Sequence, residues 1–194
     1  LHAVRGEIAR LQEQNEDSVR EYQAALAHLP PTPPEGPLYG IQLHMNLAEL
    51  YRSLRDDTAA ETQLKTAQTQ IGALDERGAD RPQFLRLRAL IKMTSGDLNG
   101  AGSDLKEALA INAKDPSGLQ LEGDLLVKLG HTEEAIAVYK SILAIDSVSR
   151  SALTSLGYIS REAGRDQEAE RYFQQLATAY PKLYVPYLAL GDMY

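Results

Sequence analysis

The chain has 194 residues with no cysteine and no tryptophan, 43% of it hydrophobic, and 20 Lys and Arg against 27 Asp and Glu give a net charge of -7. That length fits one domain or a short array, and the apolar fraction is too high for intrinsic disorder. Without cysteine there is no disulfide, thiolate metal site or cysteine nucleophile, and the acidic balance gives no general hold on nucleic-acid phosphates, so no nucleic-acid partner is expected. No apolar run approaches the roughly 18 to 20 residues of a membrane span, and Arg5, Glu7 and Arg10 interrupt the first eleven residues, so no membrane insertion is expected either.

In chain order, residues 1–30 form a first, less regular unit. Pro30, Pro31, Pro33, Pro34 and Pro37 come next, and proline at that density excludes helix, so 30–37 is read as an extended connection. It is either a lengthened surface loop or a docking site for a proline-reading domain. Residues 41–74 make a second unit with His44, Leu47, Ala48, Tyr51, Ala60 and Leu64. Seven extra residues near Asp75 to Arg81 predict that its second helix runs long before a turn at Gly78.

From residue 82 onward a period becomes explicit. Gly96, Gly130 and Gly164 lie 34 residues apart, as do Leu85, Leu119 and Leu153, then Ala89, Gly123 and Gly157, then Leu105, Tyr139 and Phe173. Each period reads as two short amphipathic helices. The glycines stop the first helix in a left-handed cap, and Asp97, Thr132 and Asp166 are expected to N-cap the second. Asp115-Pro116 opens the next unit with proline in a first-turn place. Small residues at 89, 123 and 157, and Ala101, Ala135 and Ala169 on the second helices, let backbones approach, with Tyr139 and Phe173 filling the space beside them. Gly100 and Gly102 predict a soft start to the second helix of 82–115, since glycine costs about 1 kcal/mol relative to alanine inside a helix. The units are thus 82–115, 116–149 and 150–183, with a partial unit at 184–194.

Leu153, Leu156-Gly157, Ala169, Phe173 and Pro181 resemble the tetratricopeptide repeat, and Tyr187, Leu190-Gly191 and Tyr194 resemble the opening helix of one more repeat. In residues 1–30, Gly6, Ser18, Tyr22 and Ala25 take the matching places, with Ser18 where alanine is usual. The resemblance implies an all-α fold, a right-handed α-solenoid of stacked antiparallel helix pairs. It also implies a concave wall lined by the first helix of each pair, suited to a peptide or partner protein. Both ends interrupt a repeat and neither shows a polar capping element. The chain is therefore expected to be a segment of a longer protein, and its open ends offer a route to homo-oligomers.

Projecting the helical period onto the first helices picks out Arg86, Leu87, Leu90 and Met93 in 82–115, Leu121, Asp124 and Val127 in 116–149, and Tyr158 in 150–183. Together these predict an apolar binding patch, with Arg86 and Asp124 orienting the ligand through opposite charges. The opposing reading is that several of the leucines pack between consecutive helices. The resemblance also allows a test for the Lys and Asn clamp by which related repeats grip chaperone tails. The corresponding places hold Arg86, Leu90, Leu121, Ser151 and Ser155, and only Arg86 has a suitable charge, so a chaperone-tail receptor is not expected.

No catalytic, metal or cofactor residue is assigned. His2, His28, His44 and His131 form no pair at ligand spacing. Asp56-Asp57 and Glu133-Glu134 sit where helices start and serve the helix dipole, and the recurrent glycines are turn residues rather than a phosphate loop. The reading is a non-enzymatic scaffold that holds a protein or peptide ligand along the concave groove. Its rivals are a targeting or regulatory arm of a larger enzyme and a self-assembly module.

Overall fold

The computed structural model describes residues 6, 15–30, 36, 38–74 and 80–193. Ten helices lie among them: α1 (Asn15–Ala27), α2 (Tyr39–Ser53), α3 (Asp57–Ala73), α4 (Arg81–Ser95), α5 (Leu98–Ile111), α6 (Pro116–Lys128), α7 (Thr132–Ile145), α8 (Arg150–Glu162), α9 (Asp166–Ala179) and α10 (Val185–Gly191). No strand occurs among the described residues. The fold class is all-α, built of stacked antiparallel helix pairs. The second helices α5, α7 and α9 begin at residues 98, 132 and 166, which reproduces the 34-residue period of the sequence. Leu85, Leu119 and Leu153 stand at matching places on α4, α6 and α8.

The boundaries arise from local chemistry. Asp56 accepts from the Ala59 N–H at 3.0 Å, Asp80 from Gln83 at 2.9 Å, and Asp115 from Ser117 and Gly118 at 3.3 and 3.0 Å. Each of these amides lies in a first turn, where no helix carbonyl is available to it. Pro82 and Pro116 occupy first-turn positions, where a missing N–H costs nothing. The expected caps Thr132 and Asp166 are instead the first helical residues. His131 and Arg165 hold the cap positions without a side-chain hydrogen bond to the first-turn amides, and acidic first turns, with Glu133 and Glu134 on α7 and Asp166 and Glu168 on α9, meet the helix dipole in their place.

First helices end as the glycines require: Gly96, Gly130 and Gly164 have φ of 88°, 78° and 71°. The amide of the residue after each glycine turns back to a carbonyl in the last turn of the first helix, as in Asp97 N–H to Lys92 and Arg165 N–H to Ser160, at 2.9 and 2.8 Å. After α2 the same turn is made by Arg55, at φ 61°, with Asp56 N–H on the Tyr51 carbonyl at 2.8 Å. An arginine there carries the left-handed strain that glycine avoids. Helix α3 has 17 residues against 14 for α5, α7 and α9. It is longer than its counterparts, as expected, but ends at Ala73 with Leu74 extended at ψ 134°. Gly78 lies outside the described residues, as does most of the proline-rich connection. Despite Gly100 and Gly102, α5 is unbroken.

The chain divides into two compact units, residues 1–97 and 98–194. In the first, α2 and α3 form a hairpin, and Val19 and Tyr22 of α1 pack with Leu43, Leu47 and Leu50 of α2. A carbon on Gly6 would stand 2.9 Å from the Tyr22 ring. Tyr22 therefore lies directly on the backbone at Gly6. In the second unit α6/α7 and α8/α9 are hairpins, and α7 also packs on α8. Ile136, Tyr139 and Ile142 of α7 meet Ala152, Leu156 and Ile159 of α8. Leu153, Leu176 and Leu183 close a smaller cluster, and Ala169, Phe173 and Ala189 another. Burying each such large apolar side chain contributes about 1.5 to 3 kcal/mol. The small-residue column is buried throughout: Ser18, Ala60, Ala101, Ala135 and Ala169 are each at most 1% exposed.

Candidate peptide-binding surface

In α6 the absence of a side chain at Gly123 decides where the neighbouring aromatic ring can sit. A carbon there would lie 2.3 Å from Cε1 of Tyr139, so the ring rests against the α6 backbone only because position 123 is glycine. With the ring so placed, its hydroxyl reaches the next residue and donates to Asp124 Oδ1 at 2.8 Å. Gln120, one turn earlier, donates from Nε2 to the same oxygen at 2.9 Å and lies 3.2 Å from Ser155 Oγ, linking α6 to α8. Its Oε1 is buried and has no hydrogen-bond partner. Burial holds the Asp124 carboxyl above its ordinary range, and the Tyr139 and Gln120 hydrogen bonds and the Lys128 charge oppose that rise. The Tyr139 hydroxyl is pushed up in turn, first by burial and then by the charge of Asp124.

On α8 the equivalent place holds Tyr158. Its ring meets Phe173 edge-on, with centroids 5.2 Å apart and planes at 76°, and the Arg161 guanidinium lies 5.3 Å from its centroid. Tyr158 stays 36% exposed and Val127 42% exposed. Between these residues lies a cleft of about 360 Å³ whose walls include Val127, Tyr158 and Ile159, with Asp124, Thr154 and Ser155 as polar members and Lys128 and Glu162 as exposed charges. The cleft lies wholly within the second unit.

Three of the eight residues singled out in the sequence, Asp124, Val127 and Tyr158, meet in this cleft. Leu121 is half-buried on α6 and does not line it. Arg86, Leu87, Leu90 and Met93 belong to α4 in the first unit. There Arg86 and Leu90 are half-buried, but Leu87 and Met93 are only 3% and 5% exposed. The expectation that these two form open surface is corrected by the distribution of buried positions on α4. Phe84, Leu85, Leu87, Ala89, Ile91 and Met93 are buried on more than one side of the helix, so projecting a single open face does not apply.

Tyr139 is the residue whose role sequence reasoning missed. The repeat pattern reads it as filling space and does not connect its hydroxyl with Asp124. A signal existed, because tyrosine stands here in the column where the next repeat has phenylalanine, fifteen residues after an acid that directly succeeds the packing glycine. His44 sits in a polar contact, with Nδ1 2.7 Å from Gln63 Oε1, and exposed His131 pairs with Glu134 at 3.0 Å. Among the described residues no cluster of three or more His, Asp or Glu could hold a metal ion, and no helix is long and apolar enough to cross a membrane.

Helix pairs of 34-residue period, closed by left-handed glycines and packed through small residues against aromatics, define a helical-repeat protein of the solenoid class. Residues 121–183 match the tetratricopeptide repeat family model. A 109-residue stretch, 53% of the chain, is 34% identical to intraflagellar transport protein 70A1 of Mus musculus and spans only 16% of that protein. Among solved structures, TTC0263, a thermophilic TPR protein of Thermus thermophilus, matches with a TM-score of 0.66 at 16% identity, covering 99% of this chain and 96% of that one. YrrB, described as a TPR protein with an unusual peptide-binding site, matches with a TM-score of 0.53 at 13% identity, covering 98% and 90%. At these identities the structural likeness is one of fold. Tetratricopeptide repeat proteins as a class mediate protein–protein interactions, and their fold is a non-catalytic scaffold.

Proposed function

We propose that this chain is a protein-interaction module that holds a peptide segment of its partner in the cleft between α6 and α8. The observation that carries this reading is the exposure of Val127 and Tyr158 beside each other on the first-helix face, around a cleft that also offers hydrogen-bonding groups at Asp124, Thr154 and Ser155. Apolar walls with a few fixed polar groups are what a peptide-binding surface requires. The description of YrrB as a peptide-binding member of the same fold supports the reading. In the first unit, taken by itself, Arg86 and Leu90, the half-buried members of the α4 set, are proposed as partner-contact residues.

The test is a display selection with randomised peptides of about 12 residues, which at roughly 3.3 Å per residue are long enough to cross several helices. Selected peptides are expected to lose at least about tenfold in affinity for Val127→Asp and for Tyr158→Asp, while far-UV circular dichroism is unchanged. Equal binding by both variants would place the peptide elsewhere and end this reading.

A further inference from the structure

Resting on that reading of the cleft, we infer that its occupant is a segment with an apolar side chain and, within about four residues on either side of it, a lysine or arginine whose cation settles beside Asp124 and Glu162. Each apolar wall residue has a carboxylate one helical turn away on its own helix: Asp124 stands three residues before Val127 on α6, and Glu162 four residues after Tyr158 on α8. The cleft is lined by these two carboxylates and by one ammonium, Lys128. Arg161, with its guanidinium over the Tyr158 ring, is not part of the lining.

The three charges are not equally free to move. Lys128 is exposed on a flexible stem and can swing into water. Asp124 cannot withdraw, because Tyr139 and Gln120 both donate to its Oδ1. A ligand that covers Asp124 with hydrocarbon alone removes water from a fixed carboxylate that burial already disfavours. A ligand that brings a guanidinium or ammonium replaces that water with a charge-assisted hydrogen bond. An acidic segment would gain only the mobile Lys128 and meet two carboxylates. Charge complementarity therefore selects a basic, apolar-anchored segment, which suits a chain of net charge -7.

The randomised peptide library provides the probe. Peptides selected on the native chain are expected to be enriched in an aliphatic or aromatic residue with Lys or Arg one to four places away. Replacing that cation by glutamine in a selected peptide is expected to weaken binding to the native chain about tenfold. The same replacement should change binding to Glu162→Gln less, and to the Asp124→Asn/Glu162→Gln pair by less than about twofold. Glu162 is exposed, so Glu162→Gln alone keeps the comparison readable if the Asp124 substitution disturbs folding. Selected peptides that depend on Val127 and Tyr158 but carry no cation, or carry acidic residues, would overturn the basic-segment inference and leave the cleft standing. A library yielding no peptide dependent on Val127 and Tyr158 would remove the cleft itself, and the inference with it.

Discussion

In hairpin α6/α7, Gly123 lies under a tyrosine ring and an aspartate comes after the glycine. In α8/α9, 34 residues later, Gly157 lies under a phenylalanine ring and a tyrosine comes after. The packing element is identical in both, since a carbon on either glycine would stand 2.3 to 2.5 Å from the facing ring. What changes is the pair around it. Tyr139 donates to Asp124, whereas Phe173, which has no hydroxyl, meets Tyr158 in a T-shaped ring contact. The two substitutions belong together: an aspartate beside phenylalanine would lose its strongest neutral donor. The repeat thus fixes where the aromatic ring sits, and the residue after the glycine determines whether the surface above it is polar or apolar. The cleft draws one side from each solution.

The largest expected effect tests the shared packing. Gly157→Ala should cost about 1 to 3 kcal/mol, because the new carbon would approach Phe173 Cε1 to 2.5 Å. This holds although alanine is the better helix former by about 1 kcal/mol. Another repeat suggests the remedy: where position 48 is alanine, the residue sixteen places later is Leu64. Gly157→Ala with Phe173→Leu should therefore cost less than the sum of the single changes in urea unfolding. Additive costs would mean that the ring does not exclude the carbon.

Next in size is the polar half of the comparison. Tyr139→Phe makes α6/α7 resemble α8/α9 in its ring but leaves Asp124 in place, and at pH 7 it should cost about 1 to 2 kcal/mol. The pH dependence has a definite sign. Asp124 is raised in the folded chain, so its protonated form is favoured there. Its contribution to stability is full at low pH and is lost as pH rises through the folded carboxyl's range. Removing the Tyr139 hydroxyl deletes one of the influences that lower this pKa and raises it further. The cost of Tyr139→Phe should then shrink as pH falls from 7 toward about 4, the ordinary carboxylate range. Urea unfolding at both values checks this, and equal costs would assign the loss to packing instead of to the hydrogen bond.

Much of this frame was legible in the sequence, for physical reasons specific to each residue. A left-handed cap admits glycine with little strain, so Gly96, Gly130 and Gly164 announced their turns, whereas Arg55 makes the same turn under strain and gives no such signal. Side chains facing a ring must be small, which made Gly123 and Gly157 readable as packing positions. Burial of Leu87 follows the opposing reading, that leucines of this set pack between helices, whereas burial of Met93 was not read, because a helical projection assumes one buried side and α4 has more than one. The Asp124–Tyr139 bond was missed because it joins two columns whose periodicities are separate in the sequence. That Asp124, Val127 and Tyr158 share one cleft was legible because each lies on the less buried side of a helix whose buried side is marked by glycine.

The smallest expected effect carries the opposite sign and marks the limit of the glycine rule. Gly102 sits inside α5, and a carbon there would meet only Leu125 Cδ2 at 3.5 Å, an ordinary contact. No ring faces it, so close approach does not require glycine at this position. Gly102→Ala should stabilise the chain by about 0.5 to 1 kcal/mol, mainly by reducing the freedom of the unfolded chain. The same chemical change would then destabilise at 157 and stabilise at 102, with thermal unfolding reading both. A loss at 102 would show that α5 approaches α6 more closely than 3.5 Å allows, and that its glycine serves packing as Gly123 and Gly157 do.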